Sequence, residues 1–218
     1  MKIVEPSVTL IDISKNAAEQ IEIAGRTCYK SEGKTTDDSA FAFVRMLNMK
    51  GHHAMLEFAT ATFRVVTDRG ISHEIVRHRI ASFAQESTRY CNYSKKKFDR
   101  QVSFIVPSSI DHRGKDIHGE DIHSYLVWHA ACEAAEKAYF ELLDAGQPPQ
   151  VARSVLPTCL KTEIVISMNF RSWLNFLHLR DSPHAHPDMQ HIAKLIGHML
   201  IDACPAVFFN YPRKGANV

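Results

Sequence analysis

Residues 160–180 read LKTEIVISMNFRSWLNFLHLR, and the period of their apolar positions changes partway along the stretch. Up to Phe170 the pattern alternates, so that Leu160, Ile164 and Ile166 share one face, as in a half-buried β-strand. From position 171 to position 180 the spacing is that of an amphipathic helix. The stretch therefore predicts a strand that continues directly into a helix.

Further strands and helices surround this unit in an irregular order. We expect strands at 8–13 and 59–67, and helices at 16–29, 37–49, 71–80, 148–156 and 187–204. The longest predicted helix covers 116–145 and carries one apolar stripe: Tyr125, Trp128, Cys132, Ala135, Tyr139 and Leu142. Strands and helices that do not alternate regularly predict an α+β fold. We expect a central antiparallel sheet flanked by helices, in a single domain that covers residues 1–218.

The composition is that of an ordinary globular protein. The chain has 218 residues, of which 45% are hydrophobic and 23% are charged, and its net charge is +2. This balance provides no general attraction to nucleic acid or to a membrane surface. No apolar run is long enough for a membrane span, and Glu5 and Pro6 interrupt any signal peptide. Five widely spaced cysteines without a CxxC pair indicate reduced thiols, so we expect a cytoplasmic protein.

Residues 77–90, RHRIASFAQESTRY, form the most unusual segment of the chain. Arg77, Arg79 and Arg89 are interspersed with small and hydroxyl side chains. Guanidinium groups bind phosphates and carboxylates through two parallel hydrogen bonds, whereas hydroxyl groups position a sugar or a base. Neighbouring cations repel one another, so an anion is the expected partner. The residue types alone leave open a solvated basic stretch or nonspecific contact with RNA.

The same segment resembles the signature of the flavin-dependent thymidylate synthases, which is RHR, seven residues and then Ser. Here Arg77, His78 and Arg79 are followed by Ser87 at that spacing. Three more stretches are similar to blocks of this family in the same order: GHHAMLE at 51–57, VARSVLP at 151–157 and NFRSWLNFLHLR at 169–180. A lone RHR would be a weak signal, but four blocks over residues 51–180 are specific.

The resemblance implies methylation of dUMP at C5 to give dTMP. It implies methylenetetrahydrofolate as the carbon donor, FAD as the flavin and NADPH as the reductant. It further implies a homotetramer with shared sites, small-molecule substrates, and no nucleic acid, membrane or metal ion.

The resemblance also assigns roles to individual residues. Arg180 would face the uracil ring and stabilise negative charge there, His52 would lie beside the flavin and folate, and Ser87 would position dUMP. The residues implied to bind dUMP are Glu74, Arg77, Gln85, Glu86, Ser87, Thr88, Arg89, Arg153 and Arg180. Those implied to bind FAD are Ala54, Arg77, His78, Arg79, Ile80, Gln85, Asn169, Arg171 and Asn175.

The helix at 171–180 presents its polar side chains in two directions. Arg171 and Asn175 are four residues apart and share a face, whereas Arg180 is nine residues from Arg171 and points to the opposite side. Such a helix fits sites that lie between subunits. The sequence departs from the family pattern at three positions: Ala54 stands where relatives often carry Thr or Ser, Gln85 where some carry Glu, and Glu74 where others carry Gln. These departures affect single contacts.

Other candidate sites are weaker. His184, His186 and His191 are metal-ligand types without a familiar spacing, and they would support a metal-dependent phosphohydrolase as a rival function. An RNA-binding module is the second rival. Cys159 follows Pro157 and Thr158 as in the unrelated cysteine-dependent thymidylate synthases, and we interpret it as structural. Ser87 lacks an adjacent base in the sequence, so we do not expect a nucleophile. No role is assigned to three further residues, His53, Asp68 and Arg69.

Overall fold

The structure, a computed structural model, describes residues 1–110 and 123–211. The strands are β1 (Lys2–Ile3), β2 (Ser7–Ile13), β3 (Thr60–Asp68), β4 (Ser82–Gln85), β5 (Ser103–Phe104) and β6 (Lys161–Asn169). The helices are α1 (Ala17–Tyr29), α2 (Ser39–Met49), α3 (Arg69–Ile75), α4 (His123–Asp144), α5 (Pro149–Ala152), α6 (Phe170–Arg180), α7 (Pro187–Ala203) and α8 (Pro205–Phe208). Short 3-10 turns cover Glu32–Lys34, His53–Phe58, Lys96–Phe98 and Arg153–Val155.

A four-stranded antiparallel sheet has the strand order β2-β3-β6-β4, and β1 pairs in parallel with β5 in a separate two-stranded sheet. The predicted α+β fold, with an antiparallel sheet flanked by helices in a single domain, is confirmed. Its extent over residues 1–218 stays a prediction. None of the helices in the described ranges combines the length and the apolar composition of a membrane span.

Alternating burial explains why β3 and β6 form where the sequence predicts strands. In β3 the side chains of Ala61, Phe63 and Val65 are buried, and their neighbours are partly or fully exposed. In β6 Ile164 and Ile166 are buried in the same alternating way. The period of two in the sequence is therefore the period of the two sheet faces.

The chain folds into two compact units. As far as these ranges are described, the first unit comprises Met1–Ser7, Val66–Arg77 and Ala84–Ile164, and the second comprises Val8–Val65, His78–Phe83 and Val165–Val218. The boundaries lie within β2, β3, β4 and β6 and shortly after the end of α3.

The core of the first unit contains the apolar stripe of α4. Cys132 and Tyr139 on α4 are buried together with Phe104, Leu160 and Ala152. The predicted long helix is thus confirmed from His123 to Asp144, and its predicted residues 116–122 lie outside the described residues. Gly146 follows the helix with a φ of +86°, a left-handed conformation that glycine adopts without a steric cost.

Aromatic side chains of α6 fill the core of the second unit. The Trp173 ring packs edge-on against Phe63 at 5.0 Å and against Phe176 at 5.3 Å between centroids. Its indole N–H donates to the Ala61 carbonyl at 3.0 Å, so this buried polar group is satisfied. The contacts with Phe63 and Ala61 hold α6 against β3.

Two local predictions differ from the structure. The predicted helix at 71–80 begins at Arg69 and ends at Ile75, and β4 forms at 82–85, where no strand was expected. β4 has only four residues, which are exposed or partly buried at the edge of the sheet, so it is too short to show a clear apolar alternation.

Candidate active site

The first half of the 77–90 segment places its charged residues outside and its histidine inside. Asp68 starts α3 by accepting a hydrogen bond from the Ile71 N–H at 2.8 Å, and the helix ends just before the RHR residues. Arg77 and Arg79 are exposed, whereas His78 is only 8% exposed. The two arginines are therefore available to an external anion, and the histidine between them is an internal group.

His78 holds the guanidinium of Arg180. In the second unit Arg180 Nε donates to His78 Nε2 over 2.9 Å, and the imidazole packs against the Phe176 ring at 4.9 Å between centroids. An imidazole nitrogen accepts a hydrogen bond only when it carries no proton. His78 is thus the neutral tautomer protonated at Nδ1, and it orients Arg180 at the end of α6.

Burial and the neighbouring charge keep His78 neutral. Desolvation, and secondly the positive charge of Arg180, lower the pKa of His78 to about 4. A proton on Nε2 would remove the acceptor and place two cations together. The pair consequently remains intact at neutral pH.

The beginning of α6 carries a second polar group of residues. The Asn169 side chain accepts from the Ser172 N–H at 2.8 Å and so caps the helix. Arg171 forms an ion pair with Glu57 at 2.6 Å, both side chains being about half exposed. Arg171 and Asn175 line one wall of a cleft in the second unit.

This second-unit cleft has a volume of about 530 Å³. Its lining combines polar and apolar side chains: Asn48, Met49, His53, Arg171, Leu174, Asn175, His178, Val207, Phe208, Asn210 and Tyr211. A ligand with a flat apolar ring system and hydrogen-bonding or anionic groups matches such a lining.

His52 lies at the start of the 3-10 turn His53–Phe58 and is exposed. Its Nδ1 atom is 3.1 Å from the hydroxyl of Tyr29, which is the last residue of α1. A hydrogen bond at this distance links the imidazole to the end of α1. Tyr29 therefore positions the histidine that the family resemblance places beside the flavin.

In the first unit, Thr88 pairs with Arg153. Arg153 lies in the 3-10 turn after α5, and its guanidinium donates to Thr88 Oγ1 over 2.8 Å. Thr88 is only 3% exposed, so its hydroxyl is a fixed internal acceptor. The hydrogen bond uses one donor of Arg153, and a guanidinium has five.

Both residues line a cleft of about 490 Å³ in the first unit. This first-unit cleft is lined by Arg69, His73, Thr88, Gln150, Arg153, Ser154, Leu156, Pro157, Thr158 and Leu160. Two guanidinium groups, a histidine and hydroxyl groups share this small space. Their chemistry is suited to a phosphate group, which guanidinium groups bind through paired hydrogen bonds.

Glu86 and Gln85 are tied to the framework of the first unit. Lys161 Nζ lies 3.1 Å from Glu86 Oε2, and the Tyr93 hydroxyl donates to Glu86 Oε1 over 3.4 Å. Burial raises the pKa of Tyr93 above its usual range, so this hydroxyl keeps its proton. Gln85 Nε2 donates to Ser72 Oγ at 2.8 Å and to a buried threonine of β6. Both side chains thereby have defined positions.

Ser87 and Arg89 form an exposed turn after these residues. Ser87 Oγ accepts from the backbone N–H of Arg89 over a long 3.4 Å. The Arg89 guanidinium lies 5.7 Å from the centre of the Tyr90 ring. The arrangement shapes the loop and presents Arg89 to solvent.

Comparison with known proteins decides the family. A family model described as "Thymidylate synthase complementing protein" matches residues 9–206. The flavin-dependent thymidylate synthase of Mycolicibacterium vanbaalenii is 32% identical, with 94% of this chain and 84% of the relative covered. The flavin-dependent thymidylate synthase of Geobacter sulfurreducens is 30% identical, with 92% of this chain and 84% of the relative covered. This chain belongs to the flavin-dependent thymidylate synthase family.

The fold of this family member agrees with a solved structure. The UMP/dUMP methylase PolB from Streptomyces cacaoi, crystallised with 5-Br dUMP, superposes with a TM-score of 0.78. The two chains are 24% identical, and the match covers 97% of this chain and 96% of the other. The likeness at this identity supports the fold.

The predicted site residues of this flavin-dependent thymidylate synthase fall into two groups. Those in the first unit are mostly the ones implied to bind dUMP: Glu74, Arg77, Gln85, Glu86, Ser87, Thr88, Arg89 and Arg153. Those in the second unit are mostly the ones implied to bind FAD: His52, Ala54, His78, Arg79, Ile80, Asn169, Arg171, Asn175 and Arg180. The Ile80 side chain is 76% exposed.

Several side chains of the two clefts were given no role from the sequence. Arg69 lies in the first-unit cleft, and its N–H bonds to the Thr158 carbonyl at 3.0 Å. His53 and His178 line the second-unit cleft. His178 falls within the 169–180 block, so its position in that motif was the available signal. Arg69 begins a helix outside the four blocks, and only the fold brings it into a cleft.

The histidines at 184–191 have structural contacts. His186 Nδ1 accepts from the Asp188 N–H at 3.2 Å and caps α7. The His184 N–H donates to Ser182 Oγ at 3.3 Å. Within residues 1–110 and 123–211, no cluster of three His, Cys, Asp or Glu side chains is placed to hold a metal ion.

Proposed function

We propose that this chain methylates dUMP at C5 to give dTMP, with methylenetetrahydrofolate as the carbon donor. FAD, when bound, supplies the hydride, and NADPH restores its reduced form. The proposal rests on membership of the flavin-dependent thymidylate synthase family and on the residues of its four sequence blocks.

The single observation that carries this proposal is the pairing of the blocks through direct hydrogen bonds. Arg180 of the 169–180 block bonds to His78 of the RHR segment at 2.9 Å. Arg171 of the same block pairs with Glu57 of the 51–57 block, and Arg153 of the 151–157 block bonds to Thr88. Residues from different blocks, far apart in the sequence, are thus in direct contact, as we expect if the blocks contribute to active sites.

We assign the nucleotide phosphate to the first-unit cleft. Arg153 and Arg69 supply positive charge there, and Thr88 fixes the orientation of Arg153. The exposed Arg89 adds a further guanidinium from the turn after Ser87. A phosphate that accepts paired, charge-assisted hydrogen bonds is held in one orientation, which in turn fixes the attached base.

Arg180 is proposed to stabilise the negative charge that develops on the uracil ring when C5 becomes nucleophilic. A donor that is held in place before the reaction pays no reorganisation cost during it. His78 supplies this preorganisation, because it accepts the hydrogen bond of Arg180 Nε and so fixes the orientation of the guanidinium. His78 therefore acts as a positioning residue.

The second-unit cleft fits the chemistry of FAD. Its apolar wall of Leu174, Val207 and Phe208 suits a flat ring system, and Arg171 and Asn175 provide donors for polar and anionic groups. Arg77 and Arg79 are exposed, so their guanidinium groups are available to the diphosphate of FAD. His52, oriented by Tyr29, is proposed to lie beside the flavin and the folate.

A homotetramer with shared sites is part of the proposal. Arg171 pairs with Glu57 while Arg180 pairs with His78, so α6 uses its two polar ends for different partners. A site assembled from several subunits would use both ends. All five cysteines are free thiols, which suits the reducing cytoplasm that we propose as the location.

The decisive experiment is anaerobic spectroscopy of the purified chain with added FAD. We expect flavin absorbance to appear in the protein fraction, to be bleached by NADPH, and to be restored by dUMP with methylenetetrahydrofolate while dTMP forms. Absence of flavin binding by a folded sample would refute the proposal. Salt-sensitive RNA binding without a chromophore, or phosphohydrolase activity lost to chelators, would replace it by one of the two rivals.

Two variants test the cleft assignment within this experiment. Arg171→Ala and Asn175→Ala should each weaken FAD binding, because each removes a donor from the second-unit cleft. Arg100→Ala is the matched control, since Arg100 is exposed and pairs with Asp144 on the first unit. Unchanged FAD affinity in both test variants would show that FAD does not bind in this cleft.

A further inference from the structure

Two cysteines meet at a place that the proposed reaction does not use. Cys132 lies on α4 and Cys159 lies just before β6, and their Sγ atoms are 3.5 Å apart. Both belong to the apolar core of the first unit. A thiol pair at this separation needs to approach by about 1.5 Å to reach the length of a disulfide bond, ~2.05 Å.

The two thiols differ in exposure. Cys132 is 1% exposed, whereas Cys159 is partly exposed and lies between Thr158 and Leu160, which line the first-unit cleft. A small oxidant therefore reaches Cys159 first. Cys132 is then the thiol that is already in contact with it.

The surroundings also favour the thiolate form of Cys159. The hydrogen bond from the Cys132 thiol lowers the pKa of Cys159 and raises that of Cys132. The Trp128 indole, one turn before Cys132 on α4, contributes in the same direction. Its N–H is buried and has no hydrogen-bond partner among the described residues. Since the thiolate is the reactive form, Cys159 is suited to react first.

We propose that Cys132 and Cys159 are a reversible thiol–disulfide pair in which Cys159 reacts with a hydroperoxide and Cys132 resolves the product. The Cys159 sulfur attacks the peroxide, an S–O bond forms, the O–O bond breaks, and the first oxygen leaves as water. Cys132 then attacks the Cys159 sulfenic acid, the S–S bond forms, and the hydroxyl leaves with the Cys132 proton as a second water. Two thiols and one hydrogen peroxide thus give one disulfide and two waters. A dithiol reductant reverses the change.

Oxidation would link α4 to the segment that forms one wall of the first-unit cleft. The Thr158 carbonyl in this segment accepts hydrogen bonds from the N–H groups of Arg69 and Gly70, at 3.0 and 3.2 Å. The disulfide is therefore a covalent constraint next to residues of the candidate site. Its formation requires neither nucleotide nor FAD, so its test is independent of the proposed function.

The test is thiol counting by mass spectrometry on the full-length chain. The folded protein is treated with hydrogen peroxide, quenched in acid, unfolded and alkylated. We expect free thiols to fall from five to three, with one peptide pair linked through Cys132 and Cys159, and dithiothreitol to restore all five. A linkage through Cys91, a disulfide between two chains, or five remaining thiols would overturn the proposal.

Three variants complete the test. Cys159→Ser should abolish the disulfide, and Cys132→Ala should leave Cys159 as a sulfenic acid that dimedone traps. Cys28→Ser is the control, because Cys28 is exposed and its thiol lies beside the Met55 sulfur at 3.9 Å. Its disulfide formation should equal that of the wild type. If Cys132→Ala does not fold, the Cys159→Ser result and the peptide map decide the question alone.

Discussion

Two arginines from separate sequence blocks are held in the same way in the two units, but by different acceptors. In the second unit Arg180 bonds to the imidazole of His78, and in the first unit Arg153 bonds to the hydroxyl of Thr88. Both acceptors are less than a tenth exposed and both belong to the 77–90 segment. The imidazole can take up a proton and lose its function as an acceptor, and the hydroxyl cannot.

The comparison separates two functions within one motif. Its exposed arginines, Arg77, Arg79 and Arg89, are available to ligands, whereas its buried His78 and Thr88 hold arginines that other blocks contribute. The motif therefore supplies ligand-binding groups and also the fixed acceptors that orient them. Four predictions, ordered from the largest expected effect to the smallest, test the two pairs and the serine that precedes Thr88.

Arg180→Ala should have the largest effect. Loss of one preorganised donor to a developing anion costs ~2.7–4 kcal/mol, a rate decrease of roughly 10²–10³ in dTMP formation. FAD binding and flavin reduction by NADPH should change little, because Arg180 has a different partner from Arg171. Arg180→Lys should recover only part of the rate, since an ammonium lacks the planar fork. Rates are compared at saturating dUMP; a rate near that of the wild type for Arg180→Ala would transfer the role to Arg153 or Arg89.

Arg153→Ala should act mainly on nucleotide affinity. A hydrogen bond to a charged group contributes about 1.5–3 kcal/mol, so KM for dUMP should rise by roughly 10- to 150-fold, with a smaller change in kcat. Thr88→Val keeps the shape of the side chain, removes the acceptor for Arg153, and should raise KM less. Arg100→Ala is the control with unchanged KM. If kcat falls while KM stays constant, the first-unit cleft does not hold the phosphate.

The His78–Arg180 pair should make stability depend on pH. Because the pKa of His78 is about 4 in the folded protein and about 6.5 when unfolded, the unfolded state takes up the proton first as pH falls. The stabilisation is complete above about pH 6.5 and is lost towards pH 4, with ~2 kcal/mol lost between about pH 7 and about pH 5.

Urea unfolding at both pH values measures this loss. The loss of unfolding free energy between the two pH values should be smaller by ~2 kcal/mol in His78→Gln and His78→Phe than in the wild type. In the control His129→Gln on α4, the loss should equal that of the wild type. His78→Gln retains an acceptor for Arg180 and should keep more dTMP formation than His78→Phe. An unchanged pH dependence in both His78 variants would show that the imidazole titrates normally.

Ser87→Ala should have the smallest effect of the four. Its Oγ atom accepts one long hydrogen bond from the Arg89 N–H, and such a bond contributes about 0.5–1.5 kcal/mol, so turnover should slow by roughly two- to tenfold without being abolished. The wild type should form no covalent adduct with a 5-fluoro analogue of dUMP, as judged by intact mass. An adduct on Ser87 would contradict its positioning role, and an adduct on Cys159 would show that this thiol takes part in dUMP methylation, a role that we do not assign to it.

The sequence predicted local structure well where the pattern is strong. The alternation at 160–170 and the stripe on α4 became β6 and a buried helix face, because each period matches the geometry of its element. It failed at β4, a four-residue strand whose side chains are exposed or only partly buried, and at the end of α3, where helical spacing continues past the point at which the helix stops. The four blocks also identified the family.

Only the tertiary structure decided which side chains meet. His78 and Arg180 are 102 residues apart, Thr88 and Arg153 are 65 apart, and Cys132 and Cys159 are 27 apart. Periodicity in the sequence indicates which face of a single helix or strand is buried, and it gives no information about contacts between distant segments. Burial of His78 is likewise a property of the packed chain, because the same imidazole in an exposed loop would have an ordinary pKa. The residue types that the chemistry needs are written in the sequence, whereas the pairing and protonation of those residues arise from packing.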